Sequence, residues 1–132
     1  MHPDVEQIST DPDPFEAYRI SQAMRVGDLV YTSGQAAIDL QGNLVGVGDF
    51  DAQAEQVFAN LGAVLEAADS GLEKIVKVTI FLTDMSNFPK IVALRERYFS
   101  QPYPADTIVE VRSLALPELE IEIEAIAVSS QS

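Results

Sequence analysis

The 132-residue chain contains no cysteine, a single histidine, and only 8 basic residues against 21 acidic ones. The absence of cysteine excludes disulfides, thiol nucleophiles and cysteine-ligated zinc, and it fits a protein of the reducing cytoplasm. The histidine, His2, lies in an N-terminal segment without periodicity. A Ser–His–Asp triad and a histidine-ligated metal site are therefore not expected.

The chain also lacks long apolar runs and positive charge. No apolar run approaches the ~18 residues of a membrane-spanning helix, so a membrane is not an expected partner. The formal charge of −13 opposes binding to phosphate backbones, so nucleic acid is not an expected partner either. The same negative field opposes anionic small molecules unless a local cation offsets it.

The length predicts one domain with one modest core. Residues 1–14 are rich in proline and aspartate and show little periodicity. This composition predicts a loosely held N-terminal extension over residues 1–16, followed by a single domain over residues 17–130.

Apolar residues at helical spacing predict two helices. The first is expected to begin at an Asp51 N-cap and to stop at Gly71, with Gln53 on the side away from the core. Its buried face is predicted from Val57, Phe58, Leu61, Leu65 and Ala68. The second is expected to run from an Asn87 cap, with Pro89 in its first turn, to about residue 100.

Alternating and β-rich segments predict the strands. These segments are Ala17–Arg25, Leu29–Ser33, Lys74–Leu82, Thr107–Ser113 and Leu119–Val128. Within the third of them, Val76 is expected on the buried face. The order ββαβαββ predicts an α+β two-layer sandwich, in which a mixed sheet carries both helices on one face.

Three segments, in their order and spacing, resemble the Rid family of reactive intermediate deaminases, the YjgF-like proteins. They are Tyr31-Thr32-Ser33-Gly34-Gln35, Pro104-Ala105-Asp106 and the Leu-Glu-Ile-Glu-Ile-Glu-Ala-Ile-Ala stretch from residue 119 to 127. The resemblance extends from about Ala17 to Val128. It implies a chorismate-mutase-like fold, a homotrimer with small-molecule sites in clefts between subunits, and no cofactor. The deaminases of this family hydrolyse imines or enamines that pyridoxal-phosphate enzymes release.

The resemblance also assigns site residues. Glu122 matches the last-strand glutamate that orients or activates water, and the backbone groups around Ser33 and Gly34 match those that bind the ligand. Addition of water to an imine needs a positioned base, a proton source for the nitrogen and stabilisation of charge, so these roles make chemical sense.

Three positions depart from the family pattern. Ile20 stands in place of a pocket tyrosine, Val92 in place of an asparagine, and Asp106 in place of the arginine that pairs with the substrate carboxylate. An aspartate there repels an anion instead of binding it, so the usual 2-imino acids are expected to be disfavoured. Arg19 could supply a replacement cation. Asp106 could bind a ligand donor, pair with Arg19, or act as a second carboxylate beside Glu122.

Whether the chain is an enzyme stays open on this basis. One hypothesis is a Rid-like hydrolase or deaminase that acts on an imine, enamine or related C–N bond of a different metabolite. A second is a non-catalytic small-ligand-binding or regulatory trimer, and a third is a structural or protein-interaction role. Older family labels that suggest RNA cleavage carry little weight against a charge of −13.

No metal site is expected. Glu120, Glu122 and Glu124 recur ~7 Å apart along one side of the last strand, and a strand does not curl around a cation as a calcium loop does. This row of carboxylates is interpreted as a solvated or interface-facing side of the strand.

Overall fold

The computed structural model of the protein describes residues 2–129. Within that range the chain forms one six-stranded sheet in the order β1-β2-β3-β6-β4-β5. Its strands are β1 (Val5–Ile8), β2 (Ala23–Val26), β3 (Leu29–Thr32), β4 (Ile75–Leu82), β5 (Ala105–Glu110) and β6 (Ile121–Val128). The helices are α1 (Phe50–Ala67) and α2 (Phe88–Tyr98). Strands β4 and β5 are parallel and the other neighbouring pairs are antiparallel, which confirms the predicted mixed sheet.

The core lies between the helices and one face of the sheet. Ile121 and Ile123 of β6 are in register with Leu82 and Ile80 of β4, and all four side chains are buried. The apolar side of α1 covers them, and the Phe58 ring of α1 stacks on a ring of α2 at a centroid distance of 4.1 Å. The predicted two-layer sandwich is confirmed.

The N-terminal segment is more ordered than expected. Val5–Ile8 forms the edge strand β1, paired antiparallel with β2. Beyond it, the Thr10 N–H donates to Oε1 of buried Gln22 at 2.5 Å, and Gln22 Nε2 donates to Thr10 Oγ1 at 3.0 Å. The expectation of a loosely held extension is therefore wrong for these residues. Residues 1 and 130, at the outer limits of the two predicted segments, lie outside the described range.

The N-cap of helix α1 lies two residues before the predicted one. The carboxylate of Asp49, not of Asp51, accepts the Ala52 N–H at 3.1 Å. The helix ends at Ala67, four residues before Gly71. Asp49 fits the N-cap because its backbone is extended there and its side chain satisfies a free helical donor.

Gln53, expected on the solvent side of α1, is only 1% exposed. Its Nε2 donates to the carbonyl oxygens of Gly46 and Glu118, and its Oε1 accepts the Glu120 N–H at 2.8 Å. The amide can be buried because its donor and its acceptor both pair with backbone groups of a loop and of the approach to β6.

Two strand predictions also change. The segment Ala17–Arg25 becomes a strand only from Ala23, because Glu16–Tyr18 forms a 3₁₀ turn. Val76 is 46% exposed because a bulge between Ile75 and Lys77 turns it away from the core.

The other element limits shift slightly. The predicted strand Thr107–Ser113 is observed as β5, which begins two residues earlier and ends at Glu110. Helix α2 follows Asn87 as predicted, although the Asn87 side chain makes no capping hydrogen bond. A 3₁₀ turn precedes α2, and there Asp84 accepts the Ser86 N–H at 2.9 Å.

Arg25 of β2 is a buried cation, 7% exposed, that the sequence did not single out. Its Nη1 donates to Glu6 Oε1 at 2.7 Å, and its Nη2 donates to the Ala68 carbonyl at the end of α1 at 2.9 Å. The carboxyl end of a helix carries partial negative charge, so Arg25 ties β1 and β2 to α1 electrostatically.

The sheet face away from the helices is uncovered in a single chain. Exposed apolar side chains on it are Val26, Tyr31, Val109 and Val128. Val26, Tyr31 and Val128 lie on the neighbouring strands β2, β3 and β6, and exposed apolar side chains grouped in this way are typical of interaction surfaces. Among the helices of the described residues, none is long and apolar enough to cross a membrane.

Candidate functional site

Glu122 projects from the open face of the sheet and lies against Gly34. Strand β6 alternates, so Glu122 points away from the buried side chains of Ile121 and Ile123. Gln35 holds the adjoining loop to β6, because its N–H and carbonyl exchange hydrogen bonds with Ile123 at 2.8 and 3.0 Å. A Cβ added to Gly34 would lie 2.8 Å from Cδ and 3.0 Å from Cγ of Glu122. The carboxyl therefore occupies the space that a side chain would fill.

Ser33 is held mainly by backbone groups. Its Oγ donates to the Ser21 carbonyl at 2.5 Å, and its N–H donates to the Gln22 carbonyl at 2.8 Å. Its own carbonyl accepts from Gln35 Nε2 at 3.1 Å. Within residues 2–129, by contrast, no hydrogen bond uses the N–H or carbonyl of Gly34. Gly34, more than Ser33, offers backbone groups to a ligand.

Burial raises the pKa of Glu122 above the ordinary glutamate value, and the negative charge of Glu124 raises it further. The carboxylate of Glu122 accepts no hydrogen bond from residues 2–129, so no donor there counteracts these two effects. A carboxyl with a raised pKa is suited to general acid–base chemistry near neutral pH.

The Glu124→Gln substitution is expected to lower the pKa of Glu122, because it removes one of the two causes of the upward shift. The measurement is an NMR titration of the Glu122 side-chain carboxyl carbon. Glu66→Gln, which removes one charge from α1 on the other side of the sheet, is expected to leave that pKa unchanged. An unchanged pKa in Glu124→Gln would contradict the electrostatic account.

The raised pKa of Glu122 also makes the stability of the fold depend on pH. Because its folded-state pKa is raised, its stabilising contribution is complete below the ordinary glutamate pKa and is lost as the pH rises through the raised value. Glu122→Gln cannot ionise, so its Tm at pH 7 is expected to equal or exceed that of the wild type.

Asp106 points to the helix-covered side of the sheet. It is in parallel register with Val78 of β4, whose side chain is buried in the core. There Arg95 of α2 donates through Nε to Oδ2 at 2.9 Å and through Nη2 to Oδ1 at 3.0 Å. The side chains of Arg95 and Asp106 are 25% and 16% exposed. The alternative in which Asp106 pairs with Arg19 is therefore wrong within one chain.

The chain does not bring Asp106 and Glu122 together. Glu122 is in register with Phe81 of β4, three residues along from Val78, and neighbouring positions of a strand alternate between faces. The two carboxylates project from opposite faces of one sheet. A paired arrangement of Asp106 and Glu122 is not formed within the chain.

Arg19 and Ile20 lie in the wall of a cavity of about 670 Å³ at the N-terminal side of the site. The cavity is also lined by Gln7, Ser9, Thr10, Asp11, Asp13, Glu16 and Ser21. The Ser21 carbonyl, which accepts the Ser33 hydroxyl, joins the cavity wall to the Gly34 loop. Val92 lies apart from it, exposed on α2 and one turn before Arg95.

Sequence reasoning assigned no role in the site to Gln22, Gln35 or Arg95. Gln22 and Gln35 are buried and position Ser33 and the Gly34 loop. The position of Gln35 directly after Ser33-Gly34 was the signal that could have pointed to its role. Nothing in the sequence links Arg95 to Asp106, because this ion pair depends on which face of β5 packs against α2.

The row of three glutamates is interrupted in the structure. Oε2 of Glu120 accepts from Gln53 of α1 at 3.2 Å, so Glu120 does not share an open strand side with Glu122 and Glu124. The described part of the chain contains no group of three or more histidine, cysteine, aspartate or glutamate side chains placed to hold a metal ion.

Three features define the structural class of the protein: the mixed sheet, the two helices on one face of it, and the contact between Glu122 and Gly34 on the other face. The chain is a two-layer α+β sandwich whose candidate site lies on the open side of the sheet.

Comparison with known proteins narrows this class to a family. The family model described as Endoribonuclease L-PSP matches residues 9–129. A RutC family protein of Sinorhizobium fredii is 42% identical over 92% of this chain and 96% of its own length. The 2-iminobutanoate/2-iminopropanoate deaminase of Dermatophagoides farinae is 37% identical over 89% of each chain. The crystal structure of RidA from an Antarctic Psychrobacter matches with a TM-score of 0.84 and 40% identity, over 93% of this chain and 98% of that one. The chain belongs to this family, the YjgF/Rid/RutC proteins.

Proposed function

We propose that the protein is a deaminase that hydrolyses an imine, enamine or related C–N bond of a small metabolite, with Glu122 as the catalytic base. The observation that carries the proposal is the half-buried Glu122 carboxyl, which has a raised pKa, lies against Gly34 and accepts no hydrogen bond from residues 2–129. The reaction class is suggested by the relative named 2-iminobutanoate/2-iminopropanoate deaminase.

The chemistry requires water to add across a C=N bond. The ionised Glu122 accepts a proton from water as the oxygen bonds to the imine carbon, and it passes that proton to the nitrogen, which gives a carbinolamine. The carboxylate then accepts the hydroxyl proton as the C=O bond forms and donates it to the nitrogen as the C–N bond breaks, which gives a carbonyl compound and ammonia. A raised pKa suits both steps, because one group must accept and then return a proton.

We also propose that the substrate differs from the 2-imino acids. Asp106 stands where the resemblance places a carboxylate-binding arginine, and its pairing with Arg95 leaves little net positive charge in that region. The net charge of −13 opposes anions in general. A carboxylate directly beside the imine carbon is therefore disfavoured.

The proposal includes a homotrimer with small-molecule sites at its subunit interfaces. The uncovered apolar face supports association, and a pocket that used both Glu122 and Asp106 would need two chains. We expect sedimentation equilibrium to give about three times the chain mass of 14.4 kDa. A monomeric mass at the concentration of the activity assay would contradict it.

A non-catalytic, small-ligand-binding or regulatory trimer is the second candidate. It is favoured by the Asp106 carboxylate, which is already bonded through both oxygens to Arg95. A coupled assay that follows the decay of 2-aminoacrylate, larger 2-imino acids and imines without an adjacent carboxylate separates the candidates. An enzyme hydrolyses at least one of the last group faster than its Glu122→Gln variant does, and a binding protein hydrolyses none.

Asp106→Arg is expected not to raise the rate on 2-imino acids and to lower the Tm, because the new guanidinium faces Arg95. The double variant Arg95→Asp with Asp106→Arg restores an ion pair and should recover most of the lost stability. A double-mutant cycle by urea unfolding is expected to give a coupling of roughly 1–3 kcal/mol, typical of hydrogen bonds to charged groups. A robust wild-type rate on a 2-imino acid would contradict the proposed change of substrate, whereas a gain of that activity in Asp106→Arg would show that only the carboxylate-binding cation had been lost.

A further inference from the structure

Arg19 has no ion pair within residues 2–129, although the chain carries 21 acidic residues. The lysine and arginine side chains that do form salt bridges there are Arg25, Lys90 and Arg95. Arg19 lies exposed in the wall of the 670 Å³ cavity. Its guanidinium is available to a ligand.

The backbone at Arg19 is left-handed, with φ 63° and ψ 38°. Residues with a β-carbon rarely adopt this conformation, and glycine or asparagine would suit it better. Arg19 closes the 3₁₀ turn Glu16–Tyr18 and its N–H donates to the Glu16 carbonyl, much as Asp69 follows the end of α1. The turn accounts for the left-handed backbone but not for arginine in place of glycine or asparagine, which favours a use for the side chain.

The cavity adjoins the candidate site. Ser21 lines the cavity, and its carbonyl accepts the hydroxyl of Ser33, the residue before Gly34. A volume of about 670 Å³ lies within the ~300–1,000 Å³ range of small-molecule pockets. A ligand could therefore extend from Gly34 and Glu122 into the cavity.

The charges in the cavity wall limit what that ligand can be. Beside Arg19 the wall contains the carboxylates of Asp11, Asp13 and Glu16. One guanidinium among three carboxylates attracts a ligand with one anionic and one cationic group, and it repels a dianion.

We infer that Arg19 is the anion-binding residue of a specificity pocket and that the ligand is a zwitterion. Its carboxylate binds Arg19, and its amino group faces the carboxylates of Asp11, Asp13 and Glu16. The inference rests on the proposed function only in placing the reacting C–N bond at Glu122. The ligand carboxylate is then separated from that bond, unlike the carboxylate of a 2-imino acid.

Isothermal titration calorimetry with four five-carbon probes tests the inference: 5-aminopentanoate, pentanoate, glutarate and pentylamine. We expect 5-aminopentanoate to bind wild-type protein most tightly and glutarate least. Arg19→Asn, which suits the left-handed backbone, should weaken 5-aminopentanoate and pentanoate binding by about tenfold or more, and should not weaken pentylamine binding. Arg112→Asn removes the same charge from an exposed position outside the cavity and should change each affinity by less than about twofold.

Equal losses in Arg19→Asn and Arg112→Asn would overturn the inference, since they would indicate only a change in net charge. Failure of wild-type protein to bind 5-aminopentanoate at millimolar concentration would also overturn it. Arg19→Asn is expected to have a higher Tm than wild type, whereas a lower Tm would indicate a structural role for Arg19. Because the titrations need no turnover, probe binding that depends on Arg19 supports the assignment even if no imine hydrolysis is found.

Discussion

Glu122→Gln should reduce the rate of imine hydrolysis by about 10²- to 10⁴-fold, the usual contribution of a general base. Glutamine has the same shape but cannot accept a proton from water. The fold should persist, because burial disfavours the charge of Glu122 and the substitution removes that charge. The measurement is the steady-state release of ammonia from the imine that the wild type hydrolyses fastest.

Glu118→Gln is the matched control, because it makes the same change at an exposed side chain four residues earlier. It should retain both the wild-type rate and the wild-type Tm. Equal losses of rate in the two variants would contradict the role of Glu122. A sharp fall in the Tm of Glu122→Gln alone would show that the carboxyl is structural.

Gly34→Ala is expected to lower kcat/KM by about 10²-fold or more while the fold is kept. The added methyl group would meet Cδ and Cγ of Glu122 at 2.8 and 3.0 Å, closer than atoms in van der Waals contact, so the carboxyl must move. A misplacement of about 1 Å in a catalytic group can cost 10²-fold in rate. The measurement is kcat/KM on the same imine, together with the NMR titration of Glu122, whose environment should change.

Gly62→Ala provides the comparison for Gly34→Ala. Its added Cβ lies 3.8 Å from the Leu72 side chain, an ordinary contact, and it sits within α1. The rate should be unchanged, and the free energy of unfolding should rise by about 0.5–1 kcal/mol through the higher helix propensity of alanine. A wild-type rate in Gly34→Ala would mean that the position of Glu122 does not depend on this glycine.

Much of the fold follows from periodicity alone. The alternation in β6 and the helical spacing in α1 are strong because each element buries one side against the other. Strand β1 escapes prediction because four residues in a segment rich in proline and aspartate carry little pattern, and their pairing with β2 is a tertiary contact. The burial of Gln53 escapes it too, since two of its partners, Glu118 and Glu120, lie 65 and 67 residues away.

The candidate site was only partly predictable. The resemblance brought forward Glu122, Ser33 and Gly34, and the structure adds the contact between the carboxyl and the glycine. The pairing of Asp106 with Arg95 could not be predicted, because it depends on the parallel register of β5 with β4 and on the position of α2 over that face.

The Thr10–Gln22 hydrogen bonds have a practical consequence for handling the protein. The buried Gln22 amide depends on Thr10 for both its donor and its acceptor, and the Gln22 carbonyl in turn holds the Ser33 N–H. Trimming the first ten residues would leave buried polar atoms without partners, at about 1–3 kcal/mol each, next to the Gly34 loop. An N-terminal truncation should therefore stop before β1 and Thr10 if the Gly34 loop is to be kept.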